Sequence, residues 1–184
     1  MAVAKEVGTI ISLDGGAQRY DEDMKPITEA SHIVIVARDY AEKYTGTTNL
    51  EDACRIIHER GAFIAGVTDG ANGSYFVWPD GTSYRCEPFS QANVVDTTGA
   101  GDSFHGAFLY MLTKTLCKIA DGTNTSTMNE TSQSLNAIDL LHSCAHEDLE
   151  KAATFASAVA ALNTQGIGGR SPLPSLEDIK ALIG

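Results

Sequence analysis

The sequence predicts an α/β fold, with a mainly parallel sheet flanked by helices and an antiparallel hairpin at the sheet edge. Three observations predict it. The run Ile33-Val34-Ile35-Val36 is continuously apolar, as expected of a strand buried on both faces. Leu50, Ala53, Cys54 and Ile57 then repeat at helical spacing, and Phe63 to Val67 is another apolar run, so the order is strand, helix, strand. Finally, Ser74 to Trp78 and Thr82 to Cys86 flank Pro79-Asp80-Gly81, a hairpin signal.

Taken in order, Val7 to Leu13 reads as a short strand that ends at Asp14, where Gly15-Gly16 breaks it and a polar segment runs to Glu29. After the strand at Ile33, Asn49 is placed to cap a helix, and Gly61 to stop it. Beyond the hairpin, Phe104, Ala107, Phe108, Met111 and Leu112 fall on one helical face. Asp121 to Asn136 is almost wholly polar and reads as a surface loop. A small-residue helix face then runs through Leu149, Ala152, Ala153, Ala156 and Ala160, with Glu147 and Asp148 in its first turn. Gln165 to Pro174 is a Gly/Pro loop, and Leu176 to Ile183 a closing helix.

The most informative stretch is Asp96-Thr97-Thr98-Gly99-Ala100-Gly101-Asp102, which runs directly into the Phe104 helix. The first amides of a helix lack internal partners and carry partial positive charge. Two glycines let a ligand approach that backbone, which suits a phosphate. Asp102 would repel a bound phosphate, so its presence suggests a chemical role, that of taking the proton of a hydroxyl that attacks phosphorus. The bland alternative is a tight helix entry with an acidic first turn. A second glycine run, Thr68-Asp69-Gly70-Ala71-Asn72-Gly73, follows a predicted strand, where α/β sheets collect ligands. It lacks the Lys and Ser/Thr of a Walker A loop.

Composition narrows the partners. The chain has 184 residues, 43% of them apolar and 20% charged, in keeping with one globular domain. Its net charge of -11 argues against a nucleic-acid partner, and means that a polyphosphate would be held by local amides and metal. Cys54, Cys86, Cys117 and Cys144 show no paired spacing, so a reduced, cytoplasmic protein is expected. No leader-like or membrane-spanning run is seen. His142-Ser143-Cys144-Ala145-His146 alternates ligand types but lacks the further ligands a zinc site needs. His105 is expected on a polar helix surface.

The run from Asp96 through Ser103, Phe104, His105 and Gly106 resembles the signature of the PfkB, or ribokinase-like, carbohydrate kinases, D-T-x-G-A-G-D-x-F-x-G, at every fixed position. The resemblance implies a ribokinase-like fold that phosphorylates a sugar hydroxyl from ATP with Mg2+. It makes Asp102 the catalytic base, also touching the acceptor, and the Gly99, Ala100 and Gly101 amides the anion hole. It places Thr68, Gly70 and Gly73 at the ATP site through a similar T-x-G-x-x-G. For Asp96 and Thr98 it adds a monovalent cation such as K+ to the plain reading, in which they only close an Asx turn.

The resemblance also marks departures. The N-x-x-E motif that many relatives use to organise magnesium is here Ala37 and Tyr40, with Asp39 between them. The polar region within about 117–146 looks like an insertion. Residues 1–184 resemble only the C-terminal portion of such a kinase, without the N-terminal strands and lid. A non-catalytic nucleotide-binding module, or a fragment completed by another chain or as a homodimer, is therefore the alternative. Nucleosides and vitamin precursors are alternative acceptors.

Overall fold

The computed structural model describes residues 6–90, 93–125, 136–170 and 173–184. Five strands lie in the order β1 (Ser12–Gly15), β2 (Ile33–Ala37), β3 (Ile64–Thr68), β4 (Ser74–Val77) and β5 (Ser83–Cys86). The first three are parallel, and β4 and β5 form the antiparallel hairpin at the edge. The helices are α1 (Lys25–Ala30), α2 (Arg38–Thr45), α3 (Leu50–Glu59), α4 (Ala100–Thr125), α5 (Ala137–His142), α6 (His146–Asn163) and α7 (Leu176–Ile183).

Alternation along β2 explains the layers. Ile33 and Ile35 face one side and pack with Phe76, Trp78 and residues of α4 and α6, including Phe108 and Ala156. Val34 and Val36 face the other side and pack with Tyr40, Ala53, Cys54 and Ile57 of α2 and α3. Both faces are covered, so the strand reads as continuously apolar rather than alternating. The small side chains of α6 let it lie close against α4. Ala152, Ala153 and Ala156 are buried at this contact.

Asn49 does cap α3, its Oδ1 accepting from the Glu51 and Asp52 amides at 3.0 and 3.2 Å. Asn49→Ala should cost about 1 kcal/mol, read as a lower urea midpoint at unchanged slope.

Several expectations need correction. The first strand begins at Ser12, not Val7, and runs on through Asp14 to Gly15, which pairs with Val36. The apolar stretch misled because Ile11 ends outside the ladder, where its carbonyl accepts from His32 and Ile33. Asp121 to Thr125 are the end of α4 rather than loop, since a long helix already packed along its length can carry a polar last turn. The rest of that predicted loop, 126–135, lies outside the described residues. Asn136 is the N-cap of α5, in a capping box with Asp139.

Candidate active site

The two glycine runs lie at the same end of the sheet. After β3, Gly70–Asn72 form a single 3-10 turn, closed by the Asp69 amide on the Gly73 carbonyl at 2.8 Å. Gly73 has φ +88°, and a Cβ there would strike the Cys86 carbonyl, so no other residue fits. Asp69 fixes the turn from outside, holding Arg38 at 2.9 Å and the Asn72 amide at 3.1 Å.

The signature forms the entry to α4. Gly99 has φ +77°, and its carbonyl accepts from the Ser103 amide at 2.8 Å and the Ser103 hydroxyl at 2.6 Å. The Ala100 amide closes on the Thr97 carbonyl at 3.2 Å, whereas the Gly99 and Gly101 amides take no partner among the described residues. A cavity of about 440 Å³ lies beside this turn. Thr68, Gly70 and Gly73 line it from one run, and Thr97, Ala100 and Gly101 from the other. Phe104, Ala160 and Ala161 give it apolar walls. Its volume suits a small organic ligand, with free helix-start amides at one side.

Asp102 does not line this cavity. It is solvent-exposed in the first turn of α4, on the side facing the end of β1. Burial pushes the Asp14 carboxyl up and the Asp102 charge adds to the rise, while His105 and Arg19 oppose it. His105 is not on a polar surface: it is 8% exposed, and its Nε2 lies 2.9 Å from Ser12 Oγ. Burial pushes its pKa down, against the pull of Asp14 and Asp102. Its place one turn after Asp102 was the available signal, since residues three apart share a helix face.

Asp96 closes the expected Asx turn, accepting from the Thr98 amide at 2.9 Å. Its other oxygen takes the Gly168 amide at 2.9 Å, and the two amides hold this carboxyl below its usual range. The Thr98 carbonyl accepts from Asn163 Nδ2 at 3.4 Å. Asn163 is fully buried, and its Oδ1 has no partner among the described residues. A buried side-chain oxygen without a partner, on the residue that bonds Thr98, is a group a cation could satisfy.

Tyr40, at the position of the missing glutamate, turns into the core and bonds Thr28 at 2.7 Å, so it cannot face a ligand. The Asp39 carboxylate is bound by the Gln18 amide. Among the described residues no group of three or more His, Cys, Asp or Glu could hold a metal ion, and no helix is long and apolar enough to cross a membrane. Magnesium is usually held by one or two carboxylates together with substrate phosphates, so it does not need a cluster of that size.

Known proteins give this geometry its context. The 5-dehydro-2-deoxygluconokinase of Shouchella clausii is 25% identical over 155 residues, which are 83% of this chain but 38% of the relative. A fructokinase from Vibrio cholerae O395, solved with fructose, ADP and potassium, superposes with a TM-score of 0.73 at 22% identity, covering all of this chain and 53% of that one. The aminoimidazole riboside kinase of Salmonella enterica, solved with its riboside and an ATP analogue, gives 0.71 at 20% identity, over 98% of this chain and 54% of that one. The chain thus spans about half or less of the length of these proteins, and the two structural likenesses speak for the fold. The pfkB family carbohydrate kinase profile matches residues 2–176, nearly the whole sequence, and the chain belongs to that family.

Proposed function

We propose that this chain forms the nucleotide and phosphoryl-transfer half of a sugar kinase, moving the γ-phosphoryl group of ATP to a sugar hydroxyl. One observation carries the reading: two glycine turns, distant in sequence, line a single cavity at the start of the helix that bears Asp102. Thr68, Gly70 and Gly73 bound the nucleotide side. Asp102 takes the acceptor proton, the acceptor oxygen bonds to the γ-phosphorus, and the bond from that phosphorus to the bridging oxygen of ADP breaks. The proton ends on Asp102. The Gly99 and Gly101 amides meet the charge that develops on the phosphoryl oxygens. The Ala100 amide joins them once it gives up its long bond to Thr97.

Mg2+ on the phosphates would supply charge neutralisation across the transferring group. A monovalent cation such as K+ would be held by Asp96, the Thr98 carbonyl and Asn163 Oδ1, and would order the turn electrostatically. The acceptor class is a sugar, with nucleosides or vitamin precursors as alternatives.

A nucleotide-binding module without turnover is the second reading. It is favoured by the exposure of Asp102 and by the share of its relatives that this chain covers. Closed, water-free sites are a large source of rate in such reactions. Calorimetric titration with ATP, followed by ADP release with and without fructose or pentoses, tests both. Sugar-dependent release supports the kinase reading. Binding without release supports the module, and no binding removes both.

A further inference from the structure

We propose that Arg38 is a positioning residue for the nucleotide: acting through Asp69, it holds the glycine turn 68–73 in shape and cancels a carboxylate charge beside the cavity. The proposal rests on the nucleotide reading of that cavity.

Strands β2 and β3 run parallel with Ala37 paired to Thr68, so the residues that follow, Arg38 and Asp69, leave the sheet side by side. There Arg38 Nη1 donates to Asp69 Oδ2 at 2.9 Å, while its Nε donates to Glu42 Oε1 at 2.8 Å. The same Asp69 oxygen accepts from Asn72 Nδ2 at 3.1 Å. A line of charge-assisted bonds therefore runs from α2 into the glycine turn. Its placement breaks a local rule. Arg38 is the first residue of α2, where the helix dipole disfavours a cation. Glu42 from its own helix and Asp69 from the turn offset that.

The turn needs such a hold. Gly70 and Gly73 have φ of +52° and +88°, and glycine leaves the backbone many other shapes. Thr68, Gly70, Ala71 and Gly73 line the cavity, whereas Asp69 does not, so Arg38 acts on the lining from behind it. Exposed ion pairs usually contribute little. This one differs, because the Asp69 side chain is only 16% exposed, takes two donors, and meets an arginine that Glu42 already restrains. In a chain of net charge -11, an unpaired carboxylate next to the cavity would also repel a nucleotide.

The test has two arms on the full chain. The first follows amide hydrogen exchange without ligand. The Asp69 amide bonds the Gly73 carbonyl at 2.8 Å, and the Asn72 amide bonds the Asp69 carbonyl at 2.9 Å. In Arg38→Ala both amides are expected to exchange at least about fivefold faster, with β2 and β3 unchanged. Unchanged exchange at Asp69 and Asn72, or equal acceleration through β2 and β3, overturns the proposal. The second arm measures ATP affinity by calorimetry. Arg38→Ala is expected to weaken it about tenfold, and Arg38→Lys less than about threefold. Adding Asp69→Asn to Arg38→Ala should recover at least about threefold, because the amide keeps an acceptor for Asn72 and removes the charge. Parental affinity in Arg38→Ala, or no recovery in the double variant, overturns the proposal. A parent that binds no ATP counts against the nucleotide reading, and the exchange arm still decides whether Arg38 holds the turn.

Discussion

Asp102→Asn is expected to lower turnover by at least about two orders of magnitude while leaving ATP affinity within about twofold. Asparagine keeps the size and shape of the side chain in the first turn of α4 but cannot take the acceptor proton. A hundredfold loss corresponds to about 2.7 kcal/mol of transition-state stabilisation, near the lower end of what a positioned base provides. Nucleotide affinity should hold because the cavity is lined by Gly101 and Ala100 rather than by Asp102. Steady-state kinetics beside calorimetry on the same preparation would separate the two quantities. Equal turnover in variant and parent would remove the base from the mechanism.

Phe76→Ala should destabilise the fold by about 3–5 kcal/mol. Phe76 on β4 is 1% exposed and stacks at 4.9 Å on Trp78, 5.5 Å on Phe108 and 6.2 Å on Phe104. Its ring lies over Gly66 of β3, where an added Cβ would come within 2.6 Å of it. The hole left by the ring would be walled by rigid aromatic groups and a bare stretch of backbone, so it would collapse poorly. Domains of this size hold only about 5–15 kcal/mol in total, so the loss would be a large share. Denaturant unfolding would measure it, and a change below about 1 kcal/mol would contradict this view of the core. Phe104 also walls the cavity, so ATP affinity should weaken together with stability.

What could be read from the sequence follows physical lines. Strands β2 and β3 were plain because burial on both faces leaves an unbroken apolar run. Helix α3 was plain because its cap, apolar stripe and stop all agree. The glycine turns were legible for a different reason: at Gly73 and Gly99 a positive φ and a close main-chain neighbour exclude any side chain. Helices α1, α2 and α5 were missed because they are short, and tertiary packing rather than pattern holds them. Tyr40 and Tyr44 bury the inner side of α2 from within a strongly charged segment. His105 was misjudged because polarity suggests a surface. The meeting of β1 with α4 joins residues 93 positions apart, and no local pattern records it. Asp102 does not line the cavity beside the α4 start, a relation that only the folded chain reveals.

Gly99 meets Gly169 so closely that a Cβ on Gly99 would collide with the facing main chain. The two stretches of polypeptide are further tied by the Asp96 bond to Gly168 and by the Asn163 bond to Thr98. A cation at Asp96 and an anion at the helix start, as proposed above, would be linked through this main-chain contact. By reciprocity, any gain in grip that the cation gives the nucleotide must be returned in equal measure to the cation.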